Sequence, residues 1–574
     1  MFEIMLLKIN YHKVVGSLML LFPLLLTVQA TPLLWSDQLV WLENYVIAGG
    51  VLLVMASVLL SGKMRWNLMD WLVALWWAYV MLQGYLQSSY PCSYEMVTYS
   101  CLFALYLLLR FADSYFSIDE SFIENLILVA TSYEIVLGLW QLFLGSSLHP
   151  LYRVTGSFYN PGPYAAYVAM GVSIVITRLA NYNPLVKSDK YIRGVYLLLL
   201  FVGMLVLAIS GSRAALLALL IVVIWQYRLL VRKYIWYVLL AIIAVGGILL
   251  YAKFGSAMGR VVIWYQSLSL IAQHGVFGSG IGSFCGEYGE TLRFFFSEQS
   301  HVDAFAAYAD VVDYAFCDIL QVGVEQGLIG LLLALSIVAL VLRSERGTSK
   351  GMFACMLVLF VFSLFSYPFQ LLPFQVIGVI LLAKVSGGVI MELGLSKKAN
   401  VVLLALMSFF CWLGLDFTQK HVEARVSSQK CVLFSDAVFI KENYQLLDLC
   451  CQDKNFLFGF SKMLQSAGRY MDSNAMLLKG IKISNDPMFW VLMGNNFRSM
   501  KMLDDAIRCY DMADEMLPNR LYPLYKKMLL WHERGNVIQA KKCAGELLHR
   551  VPKRSSSAVK DMQAEACRIL NEHQ

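Results

Sequence analysis

The chain has 574 residues, of which 59% are apolar and 15% charged, with a formal net charge of +7. Soluble domains run at roughly 45–50% apolar and about 25% charged, so a soluble enzyme, a disordered chain and a disulfide scaffold are excluded. The apolar residues fall in blocks of about 17–24, the length of a membrane-spanning helix, and such a chain is expected to be an all-α, polytopic membrane protein.

In chain order the hydropathy predicts thirteen spans, near 14–31, 38–60, 68–87, 95–112, 122–143, 164–181, 194–211, 214–231, 235–252, 319–342, 352–367, 375–393 and 399–416. The first block has a basic flank like a signal peptide. It lacks a small-residue cleavage site and many spans follow, so it is read as the first helix. With the N-terminus placed in the cytoplasm, seventeen lysines and arginines between spans fall inside. Arg110, Arg178, Arg228 and Lys398 are among them, and only Arg153, Arg213, Lys253, Arg260 and Arg293 fall outside, with Lys384 unassigned. This asymmetry sets the orientation and explains the positive charge before residue 417 without a nucleic-acid partner.

Residues 1–416 are therefore expected to form a transmembrane domain carrying an external loop at 253–318, followed by an external tail at 417–574. The tail holds half of the 46 lysines and arginines. Within it Ala506 and Ala540, like Pro518 and Pro552, are 34 residues apart. Trp490-x-x-Met493-Gly494-x-x-Phe497 fits the opening of a tetratricopeptide helix, and Ala475 and Pro487 mark an earlier copy. The tail is read as a helical repeat array that binds a protein partner or serves packing. As a partner-selecting module it would be removable from about residue 430 without loss of the bond-forming step. The twelve cysteines show no C-x-x-C or zinc spacing and the eight histidines no H-x-x-x-H pair, so no metal and no cofactor is predicted.

Topology does not require the exterior arginines. Arg153 opens RVTGSFYNPGPYAAY (153–167), Arg213 lies in the tight turn SGSRAALLAL (210–219), and Arg260 begins RVVIW. An arginine at mid-bilayer costs roughly 2.5–3.5 kcal/mol, so one kept at a membrane face is paired, functional or snorkelling to headgroups. Its planar fork suits a diphosphate. Tyr152, Tyr159, Trp264 and Tyr265 are read as interfacial belt residues or as platforms for sugars. Gly275, Gly278, Gly280 and Gly282 do not form a dinucleotide fingerprint and are expected to permit tight turns.

Taken in order, RVTGSFYNPGPYAAY, SGSRAALLAL, the external loop opening on Arg260 and Trp264, GVFGSGIGSF (275–284) and LQVGVEQGLIG (320–330) resemble the bacterial O-antigen ligase and polymerase superfamily. That superfamily also includes protein O-oligosaccharyltransferases. The resemblance covers roughly 14–416 and is most specific over 150–335. It implies a metal-independent glycosyltransferase of the inner membrane, working on its periplasmic face, with the C-terminal tail periplasmic. Such an enzyme moves a glycan from undecaprenyl diphosphate to a hydroxyl on lipid A core, on another glycan or on protein. Arginines matching Arg213 and Arg260 hold the diphosphate in that family, and Arg153 matches a further recurrent arginine. The chain departs from the pattern where the family carries His-Asn before the tenth span, since Phe316 and Cys317 stand there. Candidates for the base or acceptor-orienting group are His301, Asp303, Asp310, Asp313, Asp318 and Glu325. A transporter or flippase is the competing class. It would show internal repeats and charged or helix-breaking residues near mid-membrane, whereas the arginines here cluster at one face.

Overall fold

The computed structural model describes residues 19–25, 27, 38–59, 66–87, 94–116, 118–147, 149–181, 189–237, 254–385, 396–431, 437–552 and 556–571. Most of the expected spans at 14–31 and 235–252 lies outside them. The fold is all-α, with no strand among the described residues. Among the described residues six helices are long and apolar enough to cross a membrane: Tyr94–Phe116, Glu120–Leu144, Pro161–Ala180, Lys190–Ser210, Asp318–Arg346 and Lys397–Ala424. Shorter apolar helices occupy Gln38–Val54, Arg213–Gln226, Lys350–Ser363 and Leu372–Val385. Each coincides with a run predicted from hydropathy, and the protein is a polytopic membrane protein.

The chain divides into two compact units. The first comprises Met1–Leu249, Phe316–Val322 and Leu328–Gln419, and the second Leu250–Ala315, Gly323–Gly327 and Lys420–Gln574. The loop, grouped by hydropathy with the spans, thus shares a unit with the tail.

In the first unit the Pro161–Ala180 helix is central. The Glu120–Leu144, Asp189–Ser210, Arg213–Gln226 and Lys350–Ser363 helices all pack on it, and Tyr164 and Tyr167 are fully buried. Close approach depends on small residues, as in other membrane helix pairs. A Cβ at Gly171 would lie 2.3 Å from the Thr131 hydroxyl oxygen.

Several cations counted as topological markers are paired. Arg110 donates to both carboxylate oxygens of Asp70, at 2.8 and 2.9 Å. Tyr106 donates to the same carboxylate at 2.7 Å. Arg178 holds Glu124 at 2.8 Å. Lys384, which sequence left unassigned, pairs with Asp113 at 2.7 Å, less than one helical turn from Arg110, and so falls at the same end of the bundle.

In the second unit eight tail helices between Ala437 and Asn571 stack consecutively, each against its neighbours. Left-handed turn residues recur at Gly468, Lys501 and Gly535, 33 and 34 residues apart. The small buried position that follows each turn holds Ser473, Ala506 and Ala540, all fully buried. Ala475 is exposed, so the earlier copy is marked by Ser473 instead. Its hydroxyl escapes detection by an alanine pattern and is satisfied by the Ser461 carbonyl at 2.8 Å.

Candidate functional site

The segment 153–160 is fastened from beneath by two polar residues of the Glu120–Leu144 helix. Glu134 and Gln141 lie seven residues apart, two turns on one face. Gln141 Oε1 accepts from the backbone N–H groups of Thr155 and Gly156, both at 2.8 Å, and its amide donates to the Gly156 carbonyl at 2.6 Å. Glu134 accepts from the Ser157 hydroxyl at 2.5 Å and from the Ser157 N–H at 3.0 Å. Gly156 turns here with φ 56°. A Cβ on it would sit 2.2 Å from the Tyr164 ring. Asn160 caps the next helix by accepting from the Gly162 N–H at 2.9 Å. Arg153 stands exposed at the edge of this fixed turn, with no hydrogen bond or ion pair to any described residue.

Arg213 occupies the first turn of a helix separated from the preceding one by only two residues. Gly211, at φ 63°, makes this break. Ser212 caps without a side-chain hydrogen bond and the first turn contains no acid. A guanidinium at the positive end of a helix dipole makes an anion a favoured neighbour. Arg213 is half-buried.

Arg260, also half-buried, lies in the second turn of the Phe254–His274 helix. The glycine motif that follows is a close backbone junction as well as a turn. Ser279 N–H donates to the Val324 carbonyl and Gly280 N–H to the Glu325 carbonyl, both at 2.9 Å. A Cβ on Gly278 would come within 2.4 Å of the Gly327 nitrogen. Gly327 itself interrupts its helix at φ 66°, ψ −162°. The motifs at 275–284 and 320–330 are thus two sides of one junction, with Glu325 buried beside it.

The loop's candidate bases part company. His301 stacks on Phe295 at 4.1 Å and donates from Nδ1 to the Phe295 carbonyl at 2.8 Å. A neutral ring so held leaves Nε2 as its acceptor. Asp313 is paired with Lys454, and Asp310 with Arg520 at 3.2 Å. Burial, the largest single influence, pulls the Lys454 ammonium down, but its hydrogen bond to Asp313 and the charges of Asp313, Asp486 and Cys285 together leave it above the ordinary lysine value. The side chain of Asp303 lies outside the described residues.

At the departure from the family pattern, Phe316 adopts φ 52°, in the left-handed region that favours glycine. Asp318, buried, begins the next helix and accepts from the Phe369 N–H at 3.1 Å. Phe316 meets Tyr367 edge-on at 5.2 Å, and Tyr367 receives a hydrogen bond from the Asn160 amide at 3.0 Å. The structure therefore joins Asp318 to the 153–167 motif within the first unit, where Arg153 and Arg213 also lie. Arg260, His301 and Asp313 belong to the second. Sequence reasoning missed Glu134, Gln141, Asn160 and Tyr367. Two polar residues seven apart in an apolar span were the one available signal for the first pair.

Residues 195–335 match the family model described as O-antigen ligase. No curated protein is similar enough to match.

Proposed function

Through residues 195–335 the chain belongs to the O-antigen ligase-like superfamily, and from that premise we propose that it transfers a glycan from undecaprenyl diphosphate to a hydroxyl acceptor on the periplasmic face of the inner membrane. The carrying observation is the position of Arg213. It lies inside the matched segment, in the first turn of a helix whose N-terminus holds no acid. Arg260 falls within the same segment, and Arg153 is exposed with no hydrogen bond or ion pair to any described residue. Arg153 and Arg213, both in the first unit, bind the diphosphate and stabilise the charge that develops on it as it leaves, and Arg260 is the anion-binding candidate of the second unit.

The acceptor oxygen forms its bond to the anomeric carbon as the bond from that carbon to the phosphate oxygen breaks. The hydroxyl proton passes to a protein base, with Asp318, His301 and Asp313 as the candidates. Positioning of the acceptor supplies the rest, and no metal or cofactor is needed. The tail is a tetratricopeptide-like periplasmic array that contacts a protein partner or acceptor. The N-terminus is cytoplasmic, and Lys384 beside Asp113 adds a cation to the cytoplasmic end that Arg110 marks.

Complementation of a deletion strain with Arg213→Ala or Arg260→Ala tests the reading. Transfer should be lost while expression and membrane insertion stay normal. Near-normal transfer by either variant would remove that residue from the diphosphate site. Mass spectrometry of surface glycans and glycoproteins from the deletion strain names the acceptor. Loss of long-chain lipopolysaccharide, of glycan length or of protein glycans marks lipid A core, a growing glycan or protein respectively.

A further inference from the structure

Beside Arg153 the structure gathers two exposed tyrosine rings and a half-buried histidine that hydropathy assigns no common purpose. His149 lies 4.6 Å from the Tyr152 ring and 4.7 Å from the Tyr159 ring. Its Nδ1 accepts from the Leu151 N–H at 3.0 Å, which places the proton of a neutral imidazole on Nε2. Tyr152 is 47% and Tyr159 63% exposed, so neither ring is there to fill a core. The backbone between them is fastened by Glu134 and Gln141, and the arrangement is in place before any ligand arrives.

We propose that His149, Tyr152 and Tyr159 form a carbohydrate subsite that takes the sugar ring next to the diphosphate, with Arg153 on the adjoining phosphate. This rests on the transfer reaction proposed above. The chemistry matches the arrangement: aromatic faces pack on the C–H face of a pyranose, imidazole Nε2–H donates to a hydroxyl, and an unpartnered guanidinium meets the phosphate. An interfacial belt explains single tyrosines facing headgroups. It gives no reason for two tyrosines to close on a histidine of fixed tautomer beside a cation that pairs with none of the described residues.

The test uses the full chain in nanodiscs and three probes: a short-chain polyprenyl diphosphate, the same lipid bearing one N-acetylhexosamine or one hexose, and bilayers with and without anionic lipid. The wild type should prefer a sugar-bearing probe to the bare diphosphate by about tenfold. Tyr152→Ala, Tyr159→Ala and His149→Ala should erase that preference while leaving bare-diphosphate affinity and the thermal midpoint unchanged. Tyr159→Phe, which keeps the ring, should retain it. Arg153→Ala should weaken both diphosphate probes alike. Absence of a sugar preference in the wild type, or substitutions that alter only the response to anionic bilayers, would overturn the subsite in favour of a headgroup belt. Failure of every diphosphate probe to bind would instead overturn the transfer reaction on which it rests.

Discussion

The side-chain amide of Asn160 donates to the phenolic oxygen of Tyr367 across 3.0 Å, joining residues 207 apart in sequence. Tyr367 in turn braces Phe316 edge-on, and Phe316 holds a left-handed backbone two residues before Asp318. One tyrosine thus sets the position of a buried carboxylate relative to the 153–167 motif. Tyr367→Phe should cost about 1 kcal/mol of stability, the worth of one hydrogen bond. Tyr367→Ala, which also removes the support under Phe316, should cost about 3 kcal/mol. Thermal unfolding in detergent gives the stability, and a transfer assay separating KM from kcat shows whether Asp318 has lost its position.

Gly156→Ala should be among the most damaging single-methyl changes in the first unit. It places a Cβ 2.2 Å from the Tyr164 ring and 2.4 Å from Glu134 Oε2, in a left-handed backbone. Strain and overpacking together predict about 2–4 kcal/mol. Gly145→Ala is the control, because its φ is also positive but its Cβ would meet open space. It should lose only about 1 kcal/mol. Equal shifts in the thermal midpoint for the two variants would contradict the tight fit of the 153–160 turn.

Asp313 and Asp318 should separate on substitution by asparagine. Asp313 is exposed and already paired with Lys454, and the loss of such a surface pair costs about 0–1 kcal/mol. Transfer by Asp313→Asn should stay close to wild type. Asp318→Asn, if this carboxylate is the base or orients the acceptor, should lower kcat by about a hundredfold. A kcat loss confined to His301→Gln would move the base to the imidazole.

The pairing of Lys454 with Asp313 also predicts a pH dependence. The folded-state value of Lys454 lies above the ordinary lysine value of 10.5, burial notwithstanding. Its contribution to stability is therefore fully present below 10.5 and lost as pH rises through the raised value. The thermal midpoint of the wild type should fall more steeply over this alkaline window than that of Lys454→Met. Parallel curves would show that the pair does not hold the loop.

Truncation before the tail should do more than impair partner choice. The tail supplies Lys454 and Arg520 to the loop acids Asp313 and Asp310. Asn485 donates to the Val312 carbonyl, and Asn519 donates to those of Ala306 and Ala309 at 2.7 and 2.8 Å. Glu515 pairs with Arg293 at 3.4 Å. A chain ending near residue 430 should show faster proteolysis within 297–315 and no transfer to any acceptor. A truncation that retained bond formation would restore the view of the tail as a detachable module.

The sequence alone determined the membrane class and most helix positions, and offered a topology. Each is a local property: an apolar run must be about as long as the bilayer is thick, and cations between runs report on topology. The glycines at 275–282 were legible as turns because positive φ is a single-residue preference. Tertiary structure decided what those residues meet. Composition could not join Asn160 to Tyr367 or place Glu134 and Gln141 under a turn. Nor could it pair Arg110 and Arg178 with acids on other helices, since each partnership depends on which faces of distant helices come together. The merger of loop and tail was hidden for the same reason, because its contacts span some 140 to 220 residues. The repeat pattern gave the period but not the face. Only packing shows that Ser473, rather than Ala475, fills the buried small-residue position, because burial is a property of neighbours that spacing along one chain does not encode.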